Sequence, residues 1–105
     1  MKRKSIKDNN NVRILGGDYT IPLGRYNNRE PEDFIGKIVK KGFVGENEDG
    51  VIGTEHMWVS IYAVEDGKLL GVLSNDPVCI SPDVLKNGDN VQLTVYEIED
   101  VYGEQ

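Results

Sequence analysis

Apolar and polar residues alternate along most of the chain from Gly36 onward. A period of two is typical of β-strands that bury one face. The alternation predicts strands at residues 37–44, 54–65, 68–75, 78–80 and 91–96, the last with Val91, Leu93 and Val95 inward. Two earlier segments, 12–15 and 19–23, are further candidates, although Pro22 confines the second to a sheet edge or an extended loop.

Short breaks between these strands predict turns instead of long helices. Residues 31–35 begin with a proline followed by acidic residues, which favours a single helical turn. Residues 81–85 show a similar signal, with Ser81 as N-cap and Pro82 in the first position. Residues 45–53 are expected to form a mobile acidic loop, and the acidic stretch 97–105 is expected to leave the fold.

The pair Asp66-Gly67 is the strongest turn signal, because a type I′ hairpin turn needs positive φ at both positions. Such a turn sets the predicted register: Val64–Leu69, Ala63–Leu70, Tyr62–Gly71, Ile61–Val72 and Val59–Ser74. One face then carries a core set: Met57, Val59, Ile61, Ala63, Leu70 and Val72. The other face is also largely apolar: Trp58, Tyr62, Val64, Leu69, Gly71 and Leu73. Gly71 opposite Tyr62 would leave room for the tyrosine ring to lie across the sheet.

A sheet that is apolar on both faces must be covered twice or must curl. The predicted fold is therefore mainly β, a small bent β-barrel or β-roll of SH3-like complexity with one or two short helical turns. A chain of 105 residues is typical of one domain. We expect a flexible basic arm at 1–11, a single β-rich domain at 12–101 and an acidic C-terminal end at 102–105.

Charge is spread unevenly along the chain. Four of the 12 basic residues lie in the first seven positions, which leaves 8 basic against 18 acidic residues in the rest. So acidic a body repels phosphate backbones, and nucleic acid is therefore not an expected partner.

Neither a membrane segment nor a disulfide is expected. No run approaches the roughly 20 apolar residues of a spanning helix, and no apolar segment follows the basic N-terminus as a signal peptide requires. The expected location is the cytoplasm. Cys79 is the only cysteine, and its apolar neighbours Val78 and Ile80 predict a buried, inert thiol.

Four segments of the sequence form a recognisable set: Glu55-His56-Met57-Trp58-Val59, residues 71–78, residues 85–91 and Glu97-Ile98-Glu99-Asp100. In order and spacing they resemble the bacterial YegJ-like family, known as domain of unknown function 2314. The similarity covers about residues 34–101. The sequence departs from the family pattern at Val101, where a tryptophan is expected, and in its added N-terminal third. Because that family has no assigned activity, the resemblance implies a fold more than a function.

One group of side chains is a candidate ligand-binding groove: His56, Trp58, Tyr62, Asn75 and Asp76. On a strand, His56 and Trp58 share a face, whereas Glu55 lies on the other and does not orient the imidazole. The groove could stack a planar ring on Trp58 and hydrogen-bond its edge. In the alternative interpretation, Trp58 packs in a minor core and residues 75–77 form an Asx-type turn.

The sequence carries no spaced Cys or His set for a metal, no phosphate loop and no nucleophile motif, so neither a cofactor nor catalysis is expected. The predicted function is a non-catalytic binding module, first a protein-binding protein of the immunity or neutralising type. The alternative is a binder or sponge for a nucleotide-like small molecule that uses the Trp58–Asn75 groove, as in phage counter-defence. That alternative includes a homo-oligomer, since pockets often form between subunits.

Overall fold

The structure, a computed structural model, describes residues 23–104 and leaves the side chains of Glu46 and Ile52 undescribed. The predicted arm at 1–11 and strand candidate at 12–15 lie outside these residues, as does nearly all of the candidate at 19–23. Among the described residues, no helix is long and apolar enough to cross a membrane.

The prediction of a mainly-β fold is confirmed. Two 3₁₀-helices accompany the strands, Pro31–Phe34 and Val95–Glu97. The five strands are β1 Ile38–Glu46, β2 Ile52–Glu65, β3 Lys68–Leu73, β4 Asn90–Leu93 and β5 Asp100–Val101. They form one antiparallel sheet in the order β4-β3-β2-β1-β5. Within residues 23–104 this sheet is open, with β4 and β5 as its edges, and the closed barrel is not formed.

The hairpin between β2 and β3 matches the prediction at its turn. Asp66 and Gly67 both have positive φ, 54° and 78°, as a type I′ turn requires. Next to the turn, Val64 pairs with Leu69 as expected, and Ala63 pairs with Leu70. The turn chemistry alone was therefore enough to locate the hairpin.

Beyond Ala63 the predicted register is wrong, because β2 contains a β-bulge. The extra residue is Tyr62, so that Ile61 pairs with Gly71 and Val59 pairs with Leu73. A one-residue slip exchanges the two faces of the partner strand. Leu69 and Leu73 are consequently the buried residues of β3, whereas Leu70 and Val72 are only half-buried.

Gly71 lies on the buried face for a different reason from the one predicted. A Cβ atom at this position would come within 2.5 Å of Val59 Cγ1 and 2.7 Å of the Ser60 carbonyl oxygen. The glycine is thus needed for close packing of β3 on β2, and not to accommodate the Tyr62 ring. The core it adjoins consists of Phe34, Val39, Phe43, Met57, Val59, Ile61, Leu69, Leu73, Ile80, Leu85, Val91, Leu93, Ile98 and Val101.

The loop expected at 45–53 is shorter than predicted, because strands extend into both of its ends. β1 continues to Glu46 and β2 starts at Ile52, which leaves residues 47–51 as the turn. Asn47 organises that turn: its Oδ1 accepts hydrogen bonds from the backbone N–H groups of Asp49 and Val51, at 2.8 and 2.9 Å. An Asn side chain that captures nearby amides is a common way to fix a turn.

Residues 78–80 do not form the predicted strand. The Glu55 carboxylate holds them as a bend, accepting hydrogen bonds from the N–H groups of Val78, Cys79 and Ile80 at 2.7, 2.9 and 3.3 Å. Cys79 is exposed in this bend, so the prediction of a buried thiol is wrong. Residues 82–84 form a turn that Ser81 Oγ caps, accepting from the Asp83 N–H at 3.2 Å.

The acidic C-terminal stretch does not leave the fold. Ile98 and Val101 are fully buried, and β5 pairs with β1. Tyr102 continues this attachment, donating its N–H to the Ile38 carbonyl oxygen at 2.8 Å. Glu104 forms an ion pair with Arg29 at 2.8 Å. Apolar residues hidden among the carboxylates therefore anchor this segment.

Candidate functional site

The face of β2 opposite the core carries most of the predicted site. Met57, Val59 and Ile61 point into the core, so His56, Trp58 and Ser60 point the other way. We call this side of the sheet the outer face and define it by His56, Trp58, Ser60, Tyr62, Lys40 and Tyr102. Lys40 belongs to the outer face because it is paired with Trp58 between β1 and β2.

Trp58 lies at the centre of the outer face and is half-buried. Its ring meets Tyr102 edge to face, with centroids 5.6 Å apart and planes at 88°. Lys40 Nζ lies 5.0 Å from the centroid of the same ring, a cation–π distance. The indole is therefore neither a core residue nor a free wall of a groove.

Asn75 contacts the backbone of Trp58, not its ring. Its Oδ1 accepts a hydrogen bond from the Trp58 N–H at 2.7 Å, while the Ser74 N–H donates to the Trp58 carbonyl oxygen at 2.9 Å. The bulge explains the difference, since it shifts Trp58 from Asn75 to Ser74 in the pairing. Asn75 thus ends the ladder between β2 and β3, and its amide oxygen is already in use.

Tyr62 and Asp76 also use their polar atoms within the chain. The Tyr62 hydroxyl donates to Asn90 Oδ1 at 2.9 Å, so the ring extends across the sheet toward β4 and remains 50% exposed. Asp76 Oδ1 accepts from Asn87 Nδ2 at 3.1 Å. The structure therefore assembles His56, Trp58 and Tyr62 on one face, with Asn75 at its rim and Asp76 directed to another loop.

His56 is oriented by Glu99, which the sequence analysis named in a family segment but not as a site residue. Its Nδ1 lies 2.9 and 3.0 Å from the two carboxylate oxygens of Glu99. Glu99 is buried, and a Cβ on Gly42 would stand 3.0 Å from its Oε2. Gly42 therefore provides the space that the carboxylate occupies beside the imidazole.

The backbone of Glu99 is fixed as firmly as its side chain. Its N–H donates to the Lys40 carbonyl oxygen at 2.8 Å, and its own carbonyl oxygen accepts from Arg25 Nη1 at 2.6 Å. These contacts were not predictable while residues 97–105 were expected to leave the fold. The signal that could have found them is the apolar pair Ile98 and Val101, three residues apart in an acidic stretch.

Lys41 is a second buried charge next to this pair. Its Nζ donates to the Gly42 carbonyl oxygen at 2.7 Å and lies 4.0 Å from the centroid of the Phe43 ring. Burial lowers the pKa of Lys41 to about 8, and the negative charges of Glu97 and Glu99 oppose that shift. A buried lysine is a recognised mark of a special site. The signal in the sequence is the alternation of β1, since Lys41 lies between the buried Val39 and Phe43 on one face of the strand.

The described residues hold no group of three His, Cys, Asp or Glu side chains that could bind a metal ion. An open cleft of about 400 Å³ lies between residues 47–49 and 77–82, and Cys79 lines it. None of the five predicted site residues lines this cleft. The chemistry that the outer face offers is therefore aromatic contact, a cation and a carboxylate-oriented imidazole.

Comparisons with known proteins give one match. A search of curated proteins and a search of solved structures each found nothing similar. The family model described as an uncharacterized protein conserved in bacteria (DUF2314) matches residues 28–103. This range covers the whole sheet together with Glu99 and Tyr102, and the chain therefore belongs to the DUF2314 family.

Proposed function

We propose that this protein is a non-catalytic binding module that docks a protein partner on its outer face, in the manner of an immunity or neutralising protein. The observation that carries the proposal is the combination of exposed aromatic rings with an open sheet surface on which the Asn75 amide oxygen and the Tyr62 hydroxyl are already hydrogen-bonded within the chain. The proposed place of action is the cytoplasm.

The aromatic residues suit a protein interface. Tyr102 is 65% exposed and Tyr62 50% exposed, and the half-buried Trp58 lies on the same face. Tyrosine and tryptophan supply large contact areas at low entropic cost and are enriched among residues that dominate binding energies. An open sheet surface with such residues can cover a protein better than it can enclose a small molecule.

Charge indicates that the partner is basic. Residues 23–104 contain 16 acidic and 7 basic side chains. Of the basic ones, Lys41 is buried, and Arg29, Lys37 and Lys86 each form an ion pair with a carboxylate. The surface is therefore negative, and complementary charge on a partner accelerates association.

The same contacts argue against the groove for a nucleotide-like ligand. Small-molecule sites are concave and present a few polar groups to the ligand. Here the Asn75 amide oxygen holds the Trp58 N–H, and the Tyr62 hydroxyl donates to Asn90. A ligand would have to break these bonds before it could accept the Tyr62 proton or take the place of the Trp58 N–H on the Asn75 oxygen.

The proposal is tested by affinity purification of the tagged chain from its bacterial host, followed by titration of the purified partner. The double variant Tyr62→Ala/Tyr102→Ala should weaken binding at least tenfold, because it removes two exposed rings from the outer face. The matched control is Tyr96→Ala, which removes a tyrosine that is 54% exposed and is not part of the outer face.

Two results would count against the proposal. One is a partner that binds the double variant and the control with equal affinity, which would move the interface elsewhere. The other is a nucleotide-like compound that quenches the fluorescence of Trp58 and stabilises the protein, which would restore the small-ligand interpretation.

A further inference from the structure

The protonation of His56 follows from its contact with Glu99. A carboxylate only accepts hydrogen bonds, so the proton of this contact is on His56 Nδ1. A neutral imidazole carries one proton, and Nε2 is then an acceptor with a free lone pair. A carboxylate behind a histidine fixes both the tautomer and the ring orientation in this way.

The free nitrogen of His56 reaches solvent. No described residue bonds Nε2, and no polar side-chain atom of the described residues is buried without a partner. The side chain as a whole is 29% exposed. The outer face therefore presents a pre-oriented hydrogen-bond acceptor, which calls for a donor on whatever binds there.

Trp58, two residues further along β2, offers an aromatic ring to a cation. The two side chains share a face, and their Cα atoms are separated by about 7 Å, the repeat of two residues in a strand. The Trp58 ring already takes a cation from within the chain, because Lys40 Nζ lies 5.0 Å from its centroid. An aromatic face of this kind attracts guanidinium and ammonium groups.

We propose that His56 and Trp58 together form a receptor for one arginine side chain of the protein partner. The guanidinium stacks on the indole and donates an N–H to His56 Nε2. Arginine is the side chain that combines a planar stacking surface with several N–H donors and a fixed positive charge. The inference rests on the proposed protein-binding function, and it names the group by which the partner is recognised.

Three observations converge on this chemistry. The Glu99–His56 pair offers an acceptor, the indole offers a cation site, and residues 23–104 as a whole carry 16 acidic against 7 basic side chains. An acidic side chain on the partner would satisfy none of the three. Lys40 competes for the same ring, so the incoming guanidinium has to displace its ammonium group.

The test uses NMR at pH 8 with two probes, acetyl-Gly-Arg-Gly-amide and the same peptide with citrulline in place of arginine. Citrulline keeps the shape and removes the charge. His56 and Trp58 are the only residues of their types, so their ring resonances need no further assignment. The arginine peptide should shift both resonances saturably at millimolar concentration, and the citrulline peptide should bind at least tenfold more weakly.

Variants separate the receptor from general electrostatics. In Glu99→Gln the amide can either accept from Nδ1 or donate to it, so the proton is no longer confined to Nδ1 and Nε2 is no longer a fixed acceptor. This variant should weaken binding of the arginine peptide at least tenfold. Glu104→Gln makes the same change of charge near Arg29 and Lys37 and should not weaken that binding. Lys40→Met should strengthen binding by removing the competing ammonium.

The proposal is overturned by any of three results: equal binding of both peptides, equal weakening in the two glutamine variants, or an Nε2-protonated His56 in the wild type. These outcomes are distinct from failure of the proposed function. A partner that binds the outer face through Tyr62 and Tyr102 but is insensitive to Glu99→Gln would uphold the protein-binding function and exclude the arginine receptor.

Discussion

At the scale of single residues, two features are unusual: the His56–Glu99 pair and the buried charge of Lys41. Lys41 has the larger unfavourable effect on stability. Its ammonium group is removed from water and held by the Gly42 carbonyl oxygen and the Phe43 ring, and no carboxylate of residues 23–104 is bonded to it directly. Desolvating a charge without close pairing is unfavourable. The low pKa of about 8 is the measure of that cost.

This cost predicts how stability depends on pH. Between about pH 8 and pH 10.5, the ordinary pKa of a lysine, the unfolded chain keeps a proton on Lys41 that the folded chain has released. The free energy of unfolding should therefore rise with pH across this window, by on the order of 2–4 kcal/mol in total. Urea unfolding at pH 7.5, 8.5 and 9.5 measures the rise.

The control for this prediction is Lys41→Met, which fills the site without a titratable group. Its unfolding free energy should lack the component that rises above pH 8, while Lys68→Met, at an exposed lysine, should keep it. Parallel pH curves for wild type and Lys41→Met would contradict the buried-charge account.

At the scale of elements, the predicted sheet agrees with the structure where local sequence determines the conformation. The type I′ turn at Asp66-Gly67 and the alternation of β1 and β2 gave strands close to those observed. The strand predicted at 91–96 is too long, because β4 ends at Leu93 and Val95, predicted to point inward from the strand, begins a 3₁₀-helix. The bulge at Tyr62 was not predictable, because no residue type marks a bulge of this kind. It depends on packing, namely the demand that Leu69 and Leu73 both enter the core.

Two other errors have the same origin in tertiary contacts. Cys79 sits in an apolar triplet, but a carboxylate from β2 captures the backbone of that triplet and leaves the thiol outside. Glu99 lies in an acidic stretch whose two apolar residues were outweighed by charge. Only part of the candidate site was therefore predictable. Alternation placed His56 and Trp58 on one face of β2, but it could not show that Glu99, 43 residues after His56, orients the imidazole.

The register correction yields a stability prediction. Gly71→Ala should destabilise the protein by about 1–3 kcal/mol, because the new methyl group meets Val59 and backbone of β2 at under 3.0 Å. Gly53→Ala is the matched control in a strand, since nothing lies within 4 Å of its Cβ position. If the two variants have equal denaturation midpoints, Gly71 does not face Val59 and the bulge is misplaced.

At the scale of the whole molecule, the two faces of the sheet differ in composition. Its inner face, with the loops around Phe34, Leu85 and Ile98, forms the core. Its outer face carries rings, an imidazole and a cation, and it is the face that we propose binds a basic protein. The bulge at Tyr62 shapes both faces of the sheet, because it directs the Tyr62 ring across the outer face while Ile61 stays in the core.

The most direct test of this account is site-specific photocrosslinking in the bacterial host. A benzoylphenylalanine in place of Tyr102 should capture one defined partner that carries a net positive charge, because position 102 borders Trp58. The same group in place of Tyr96, which is similarly exposed but not on the outer face, should not capture it. Capture of that partner from position 96 alone, or equally from both positions, would contradict the claim that the outer face is the binding surface.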